Sequence, residues 1–448
     1  MRTREIAARD PLLLGLCLAL VGLLCLAQIR GSTLFIALLL AAFLALTLLA
    51  AARRRTLAMF LFFLPWSPLL KLYQGGVSFF TVALLLACAV HFVRADWRVR
   101  PYQIFCTAAL AVLTLTAKAV WGESLSMSYL FFFAMLLLAP SLNEREAHDC
   151  SFFELTAYFS VGVISAALIA HRIATYPRIS QFVTVDSYLT ITRLSGFYGD
   201  PNFYSAHITA AFAGVQLLLV REKNGLARLG LALLAVALVY CGLLSASKSF
   251  VVVLACLFFV WVPLLLERSS GASTRLRVLL GAVVAGAVML SSDAVGELLR
   301  VIDTRFSYAE NVAQLTTGRT LLWQMYAKEL LHDPLTLLLG RGYTPSALIN
   351  GRASHNTILQ GVFQLGAIGF PVLLVWQGSR LRHALPRAGQ RDGWAAVLLL
   401  TGVALPWLGL DILFFDEWFL LPLYAALGLA EDAALAEPED TENLQKVS

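Results

Sequence analysis

The feature that most limits this chain is a set of long charge-free apolar runs. Pro11–Ile29 and Thr33–Ala52 carry no charged residue and are long enough to cross roughly 30 Å of hydrocarbon as helices. A membrane-spanning barrel would alternate apolar and polar residues, and these runs do not, so helices remain as the spanning element. Over 448 residues the chain is 59% hydrophobic and 14% charged. A soluble domain averages about 25% charged residues. The sequence therefore specifies an all-α polytopic membrane protein and excludes a soluble globule.

Fourteen stretches qualify as spans: 11–29, 33–52, 56–72, 78–93, 101–120, 126–140, 151–171, 202–220, 229–245, 250–266, 278–292, 356–377, 394–412 and 417–430. Several are short, which gives 12 to 14 helices. Basic residues mark one side. Arg2, Arg4 and Arg9 precede the first span, and Arg53, Arg54 and Arg55 follow the second. Arg94, Arg98 and Arg100 follow the fourth, and Arg221, Lys223 and Arg228 the eighth. Arg268, Arg275 and Arg277 follow the tenth, and Arg380, Arg382, Arg387 and Arg391 the twelfth. The positive-inside rule then places both termini in the cytoplasm of a multi-pass protein of the inner or plasma membrane. The first run has a basic start without a small-residue cleavage site, so it reads as a retained span. Residues 431–448 form an acidic tail, expected to be cytoplasmic and disordered.

The alternation leaves two long segments outside, 172–201 and 293–355, and segments of that length are usually functional. The chain divides into an N-terminal scaffold, 1–171, and a region carrying chemistry, 172–430. Net charge is +6, but the basic residues sit in particular loops, so nucleic acid is not an expected partner. Seven cysteines form no CxxC pair, which gives no zinc or disulfide framework. Acidic pairs suited to Mg²⁺ and nucleotide-binding glycine loops are also missing, so neither metal nor cofactor is expected.

Within 293–355, Thr316 or Thr317 can cap a helix from Gly318 to about His332. Leu322, Met325, Tyr326 and Leu330 share one face of it, suited to the membrane interface. His355 sits at a span boundary, where a histidine can act as a general base near neutral pH or cap the helix start beside Ser354. Below it Asn356, Gln360 and Gln364 recur at every fourth position, a polar stripe that must face the bundle interior. Arg193, Arg319 and Arg341 each lie near a glycine, and the planar guanidinium is the natural ligand of phosphate. Asp200-Pro201-Asn202 opens a span with helix-start grammar, or orients Arg193 and contacts substrate. His207, a turn and a half deeper, is either packed or pore-lining. Lys248 either contacts phosphate or reaches up to the interface. Asp411, Asp416 and Glu417, near another outer end, are candidates for holding a cationic partner.

At these residues the chain resembles the O-antigen ligase and polymerase superfamily of bacterial membrane glycosyltransferases. The matching pieces run in order: Arg193-x-x-Gly196 with Asp200-Pro201-Asn202, Ser247-Lys248, Gly318-Arg319-x-x-x-Trp323, Gly340-Arg341-Gly342, and His355-Asn356-x-x-Leu359 leading to Gly366-x-x-Gly369. The match covers roughly residues 190–380, and Lys248 stands where the family commonly has arginine. The resemblance implies a GT-C-like fold and a metal-independent, inverting transfer of an undecaprenyl-diphosphate-linked glycan to an acceptor sugar hydroxyl outside the cytoplasm. In that scheme His355 is the general base, and Arg193 and Arg319 hold the diphosphate. Arg341, Lys248, Asp200, Asn202 and Asn356 are substrate contacts, and a flippase and a chain-length regulator are candidate partners. The acceptor distinguishes a repeat-unit polymerase, the favoured expectation, from a ligase acting on lipid A core or a protein O-oligosaccharyltransferase. A flippase or transporter of lipid-linked glycan is the expectation from a different class. It calls for charged residues at mid-membrane and for matched broken helices, which the sequence lacks.

Overall fold

The computed structural model describes residues 11–94, 98–125, 127–143, 150–176, 185–188, 191–268, 311–343, 351–382 and 393–436, with scattered positions between 276 and 307 and at 348–349 and 385. The expected span at 278–292, most of the loop at 293–310 and the tail beyond 436 lie largely outside the described residues.

The first half comprises α1 (Pro11–Arg30), α2 (Thr33–Ala52), α3 (Thr56–Phe63), α4 (Phe79–Arg94), α5 (Pro101–Trp121), α6 (Met127–Leu138) and α7 (Phe152–Ile173). A two-stranded antiparallel hairpin follows, β1 (Val185–Tyr188) and β2 (Ile191–Leu194). Three long helices come next: α8 (Pro201–Arg221), α9 (Gly225–Leu244) and α10 (Lys248–Arg268). Short helices α11 (Val312–Leu315), α12 (Arg319–His332) and α13 (Pro334–Leu339) lead to α14 (Thr357–Leu381), α15 (Gly393–Ala404) and α16 (Asp416–Ala436). Eight of these helices are long and apolar enough to cross a membrane, and four shorter apolar ones accompany them. Apart from one hairpin among the described residues, the protein is an all-α polytopic membrane protein.

Two expected spans are shorter than the sequence suggests, and proline is the reason. The run 56–72 is α-helical only to Phe63, then tightens into a 3₁₀ turn over Leu64–Leu69 that holds Pro65 and Pro68. The run 394–412 changes likewise after Ala404, at a 3₁₀ turn with Pro406. A proline ring lacks the N–H for the i to i−4 bond and crowds the preceding turn. Every residue of α3 is buried, so this element is apolar on all sides because protein, not lipid, surrounds it.

The centre of the bundle is α8, of which 83% of the spanning window is buried. Small residues make that possible, because lipid-embedded helices associate through close backbone approach. A Cβ at Gly402 would lie 2.4 Å from Cβ of Ala213, and one at Gly214 would strike the Tyr424 hydroxyl. Thr209 Oγ1 donates to Gly402 O at 3.0 Å, and the hydroxyls of Thr156 and Tyr424 bond at 2.9 Å. This packing fixes where α8 begins, and its first residues enter the site.

Helix α14 is broken at Gly366, whose φ of 72° and ψ of 171° are not helical. The break receives α13: a Cβ on Gly366 would lie 2.1 Å from Leu338 O, and one on Gly340 2.3 Å from Gln364 O. Arg341 N donates to Phe363 O at 2.9 Å. This interlock ties the short helices to the long one.

Candidate functional site

A cavity of 890 Å³ opens where four helices begin. Its lining takes in Asp200 and Pro201 at the start of α8, and Lys248 and Ser249 at the start of α10. Arg319 joins them from the first turn of α12, and His355 from two residues ahead of α14. A helix start carries roughly half a positive charge and unpaired N–H groups, so such ends favour an anion.

The side chains agree with the dipoles. Arg193, Lys248, Arg319 and Arg352 line the cavity, while Asp200 is the single carboxylate among the described lining residues. Strand β2 delivers Arg193, which is only 7% exposed and donates through Nε to Ser245 O at 3.4 Å. Burial pulls Arg319 below the ordinary arginine value; Asp200 works the other way and Arg193 adds to the lowering. Gly409 leaves room for Arg319, since a Cβ there would lie 2.7 Å from its Nη1. Asp200 caps α8, its Oδ1 accepting from Asn202 N at 2.8 Å and from Asn202 Nδ2 at 2.7 Å. Asn202 Oδ1 in turn accepts from Ser247 Oγ at 2.8 Å. The starts of α8 and α10 are thereby joined. Lys248 Nζ donates to Gln314 O at 3.4 Å and sits 5.3 Å from the Phe306 ring centre.

Backbone strain gathers at the same place. Of four non-glycine residues with positive φ among the described residues, Ala246 (46°), Thr317 (56°) and His355 (50°) belong here. Each such conformation costs about 1–3 kcal/mol and persists where neighbours over-determine it. Ala246 lies next to Ser247-Lys248, and Thr317 leads through Gly318 to Arg319. It is Gly318, with φ of 80°, that takes the cap position of α12, rather than Thr316 or Thr317; the Thr316 hydroxyl still accepts from Thr320 N at 3.3 Å.

His355 is not the helix cap. Asn356 holds that position, its Oδ1 accepting from Ile358 N at 3.1 Å and Leu359 N at 3.0 Å. The turn before it is closed by Ser354, whose Oγ donates to Asn356 O at 3.0 Å. Ser354 N donates to Gln360 Oε1 at 3.0 Å, and Trp323 Nε1 donates to Ser354 O at 3.0 Å. Burial first, and the Arg319 charge second, hold the His355 imidazole below its ordinary 6.5, with Asp200 opposing. At neutral pH it is therefore the free base, able to accept a proton from a hydroxyl.

Other residues singled out from sequence lie elsewhere. Arg341 is outside the cavity lining: its Nη2 is 2.9 Å from Glu329 Oε1, and its guanidinium lies 3.8 Å from the Trp121 ring centre. Asn356 is occupied as a cap and through Nδ2 to Leu408 O at 3.1 Å. Gln360 and Gln364 are buried in protein rather than lining the cavity. Of the apolar face of α12, Tyr326 and Leu330 pack on Phe363, while Met325 stays exposed. His207 is packed, Nε2 lying 3.1 Å from Glu417 Oε1, and Asp416 accepts from Thr81 Oγ1 at 2.9 Å, so these carboxylates have internal partners. Arg352 joins the lining without a distinctive sequence signal beyond Gly351-Arg352, which repeats the Gly–Arg pairs at 318–319 and 340–341. Among the described residues no cluster of three or more His, Cys, Asp or Glu is placed to hold a metal ion. The chain matches no protein-family profile, and no curated protein sequence matches it.

Proposed function

We propose that the protein is a membrane glycosyltransferase of the O-antigen ligase and polymerase type, with the cavity as its active site. Donor, acceptor and the whole reaction belong to this reading. The observation that carries it is the convergence of Arg193, Arg319, Lys248 and His355, from four separate chain segments, on one cavity. The donor is a glycan joined through diphosphate to a polyprenyl carrier, here undecaprenyl. Val252, Val253, Leu405 and Leu408 give the cavity an apolar wall suited to the lipid.

His355 takes the proton of the acceptor hydroxyl as that oxygen attacks the anomeric carbon. The carbon–oxygen bond to the diphosphate breaks from the opposite face, its electron pair passing to the phosphate oxygen, and configuration inverts. Arg193, Arg319 and the helix starts stabilise the charge growing on the leaving diphosphate, which is the transition-state interaction that counts. A GT-C-like frame would hold this site on the extracytoplasmic face, with both chain ends in the cytoplasm. Among acceptors, another lipid-linked repeat unit is favoured, making the protein a polymerase in capsule, exopolysaccharide or O-antigen synthesis.

The test is glycan chain length and attachment in a deletion strain complemented with wild type or His355→Ala. A general base contributes about 10²–10⁴-fold, so the variant should leave single lipid-linked repeat units. Full-length chains retained on the carrier would make the protein a ligase. Normal envelope glycan with the variant would rule out His355 as the base.

A further inference from the structure

Helix α12 does more than present Arg319. Arg319, Trp323 and Tyr326 stand at positions i, i+4 and i+7, which share one helical face. Trp323 Nε1 donates to Ser354 O at 3.0 Å, and the Tyr326 hydroxyl donates to Arg352 O at 2.8 Å. That hydroxyl also accepts from Ile349 N at 3.1 Å. The Tyr326 ring is fully buried, edge-on to Phe363 of α14 with centres 4.8 Å apart. One rigid helix thus ends in the guanidinium at the cavity. A turn further on it grips the backbone immediately before His355.

We infer that Trp323 and Tyr326 are positioning residues that set the reach between the Arg319 guanidinium and the His355 imidazole. The inference rests on the transferase reading above, in which that reach is the span from leaving diphosphate to attacking hydroxyl. The need for such a brace is visible in the backbone. His355 holds φ of 50°, a left-handed conformation that a non-glycine residue keeps only under constraint. Asn356 caps α14 on one side, and the two α12 donors fix the other. Geometry of this kind matters to rate more than to binding, because misplacing a catalytic group by about 1 Å can cost about 10²-fold.

The experiment uses the full chain in lipid nanodiscs, comparing wild type with the double variant Trp323→Phe/Tyr326→Phe, which keeps an aromatic ring at each position and removes both donors. Three quantities are read: inorganic pyrophosphate binding, the NMR titration of His355 (assigned with His355→Ala), and transfer kinetics with the lipid-linked donor extracted from the deletion strain. With positioning lost, pyrophosphate affinity stays within about twofold, the His355 titration moves up toward the ordinary histidine range, and kcat falls about 10²-fold with KM little changed. An unmoved titration and kcat would overturn the inference. So would loss of pyrophosphate binding in step with kcat, which would mean that the two side chains hold the anion site itself rather than its reach to His355. If wild type and His355→Ala perform alike with authentic donor, the transferase reading fails, while the titration still decides whether α12 positions His355.

Discussion

At the scale of single residues, the proposed chemistry turns on His355. A general base works only when deprotonated, so its rate rises with pH through its own pKa. Burial and Arg319 hold that value below 6.5, which places the rise on the acid side of an ordinary histidine. The pH profile of kcat/KM should therefore stay flat above neutrality and fall on the acid side of 6.5. Replacing Arg319 with Gln removes the nearer positive charge and should move the His355 titration upward, as NMR of labelled histidine would record. An unmoved or lowered titration would mean that the Arg319 charge does not act on His355. Sequence put His355 at a helix boundary with two roles open. The structure separates them, because Asn356 takes the capping bonds and leaves the imidazole to the cavity.

At the scale of elements, the interlock between α13 and the break in α14 is the joint on which site geometry depends. The added Cβ in Gly366→Ala would meet backbone oxygen and carbon of the facing segment, which cannot swing aside as a side-chain tip can, and φ of 72° is itself unfavourable for alanine. The expected cost is about 3 kcal/mol or more, within the range of mutations that force strain at a special backbone position. It should appear as a lower unfolding temperature in detergent, alongside reduced activity. Gly378→Ala, on the same helix with open space at its Cβ, should leave both unchanged and serves as the control. Equal behaviour of the two variants would mean that the interlock carries no strain.

At the scale of the whole molecule, the proposal needs the cavity on the side away from the Arg53–Arg55 cluster. Lys328 on α12 and Arg53 are both exposed, so each can carry a reporter thiol. Cysteine at 328 should react with an impermeant thiol reagent in intact cells, and cysteine at 53 only after lysis. The reverse pattern would invert the topology and remove the transferase reading with it. A transporter of lipid-linked glycan would make a different demand, that function rest on charges deep in the bundle. The buried His207–Glu417 pair gives that idea its own test: His207→Gln should spare donor binding and transfer if the cavity alone does the chemistry.

What the sequence determined by itself was the class of molecule and the identity of most of the site. Charge-free runs leave the backbone no choice but helices, and Asp200-Pro201 and Ser354-His355-Asn356 mark helix starts by local hydrogen-bonding grammar. Those signals act over a few residues, so they are legible without a fold. Tertiary structure decided which of the singled-out groups meet. It drew Arg193, Lys248, Arg319 and His355 together with the unforeseen Arg352, and it turned Arg341 toward Glu329 and Trp121. It buried Gln360 and Gln364 inside the bundle, as their spacing requires, but away from the cavity lining. Periodicity says which face of a helix a residue occupies, but not what lies opposite. That follows from the close approach of small residues around α8 and the seating of α13 in the break of α14, contacts between segments far apart in the chain.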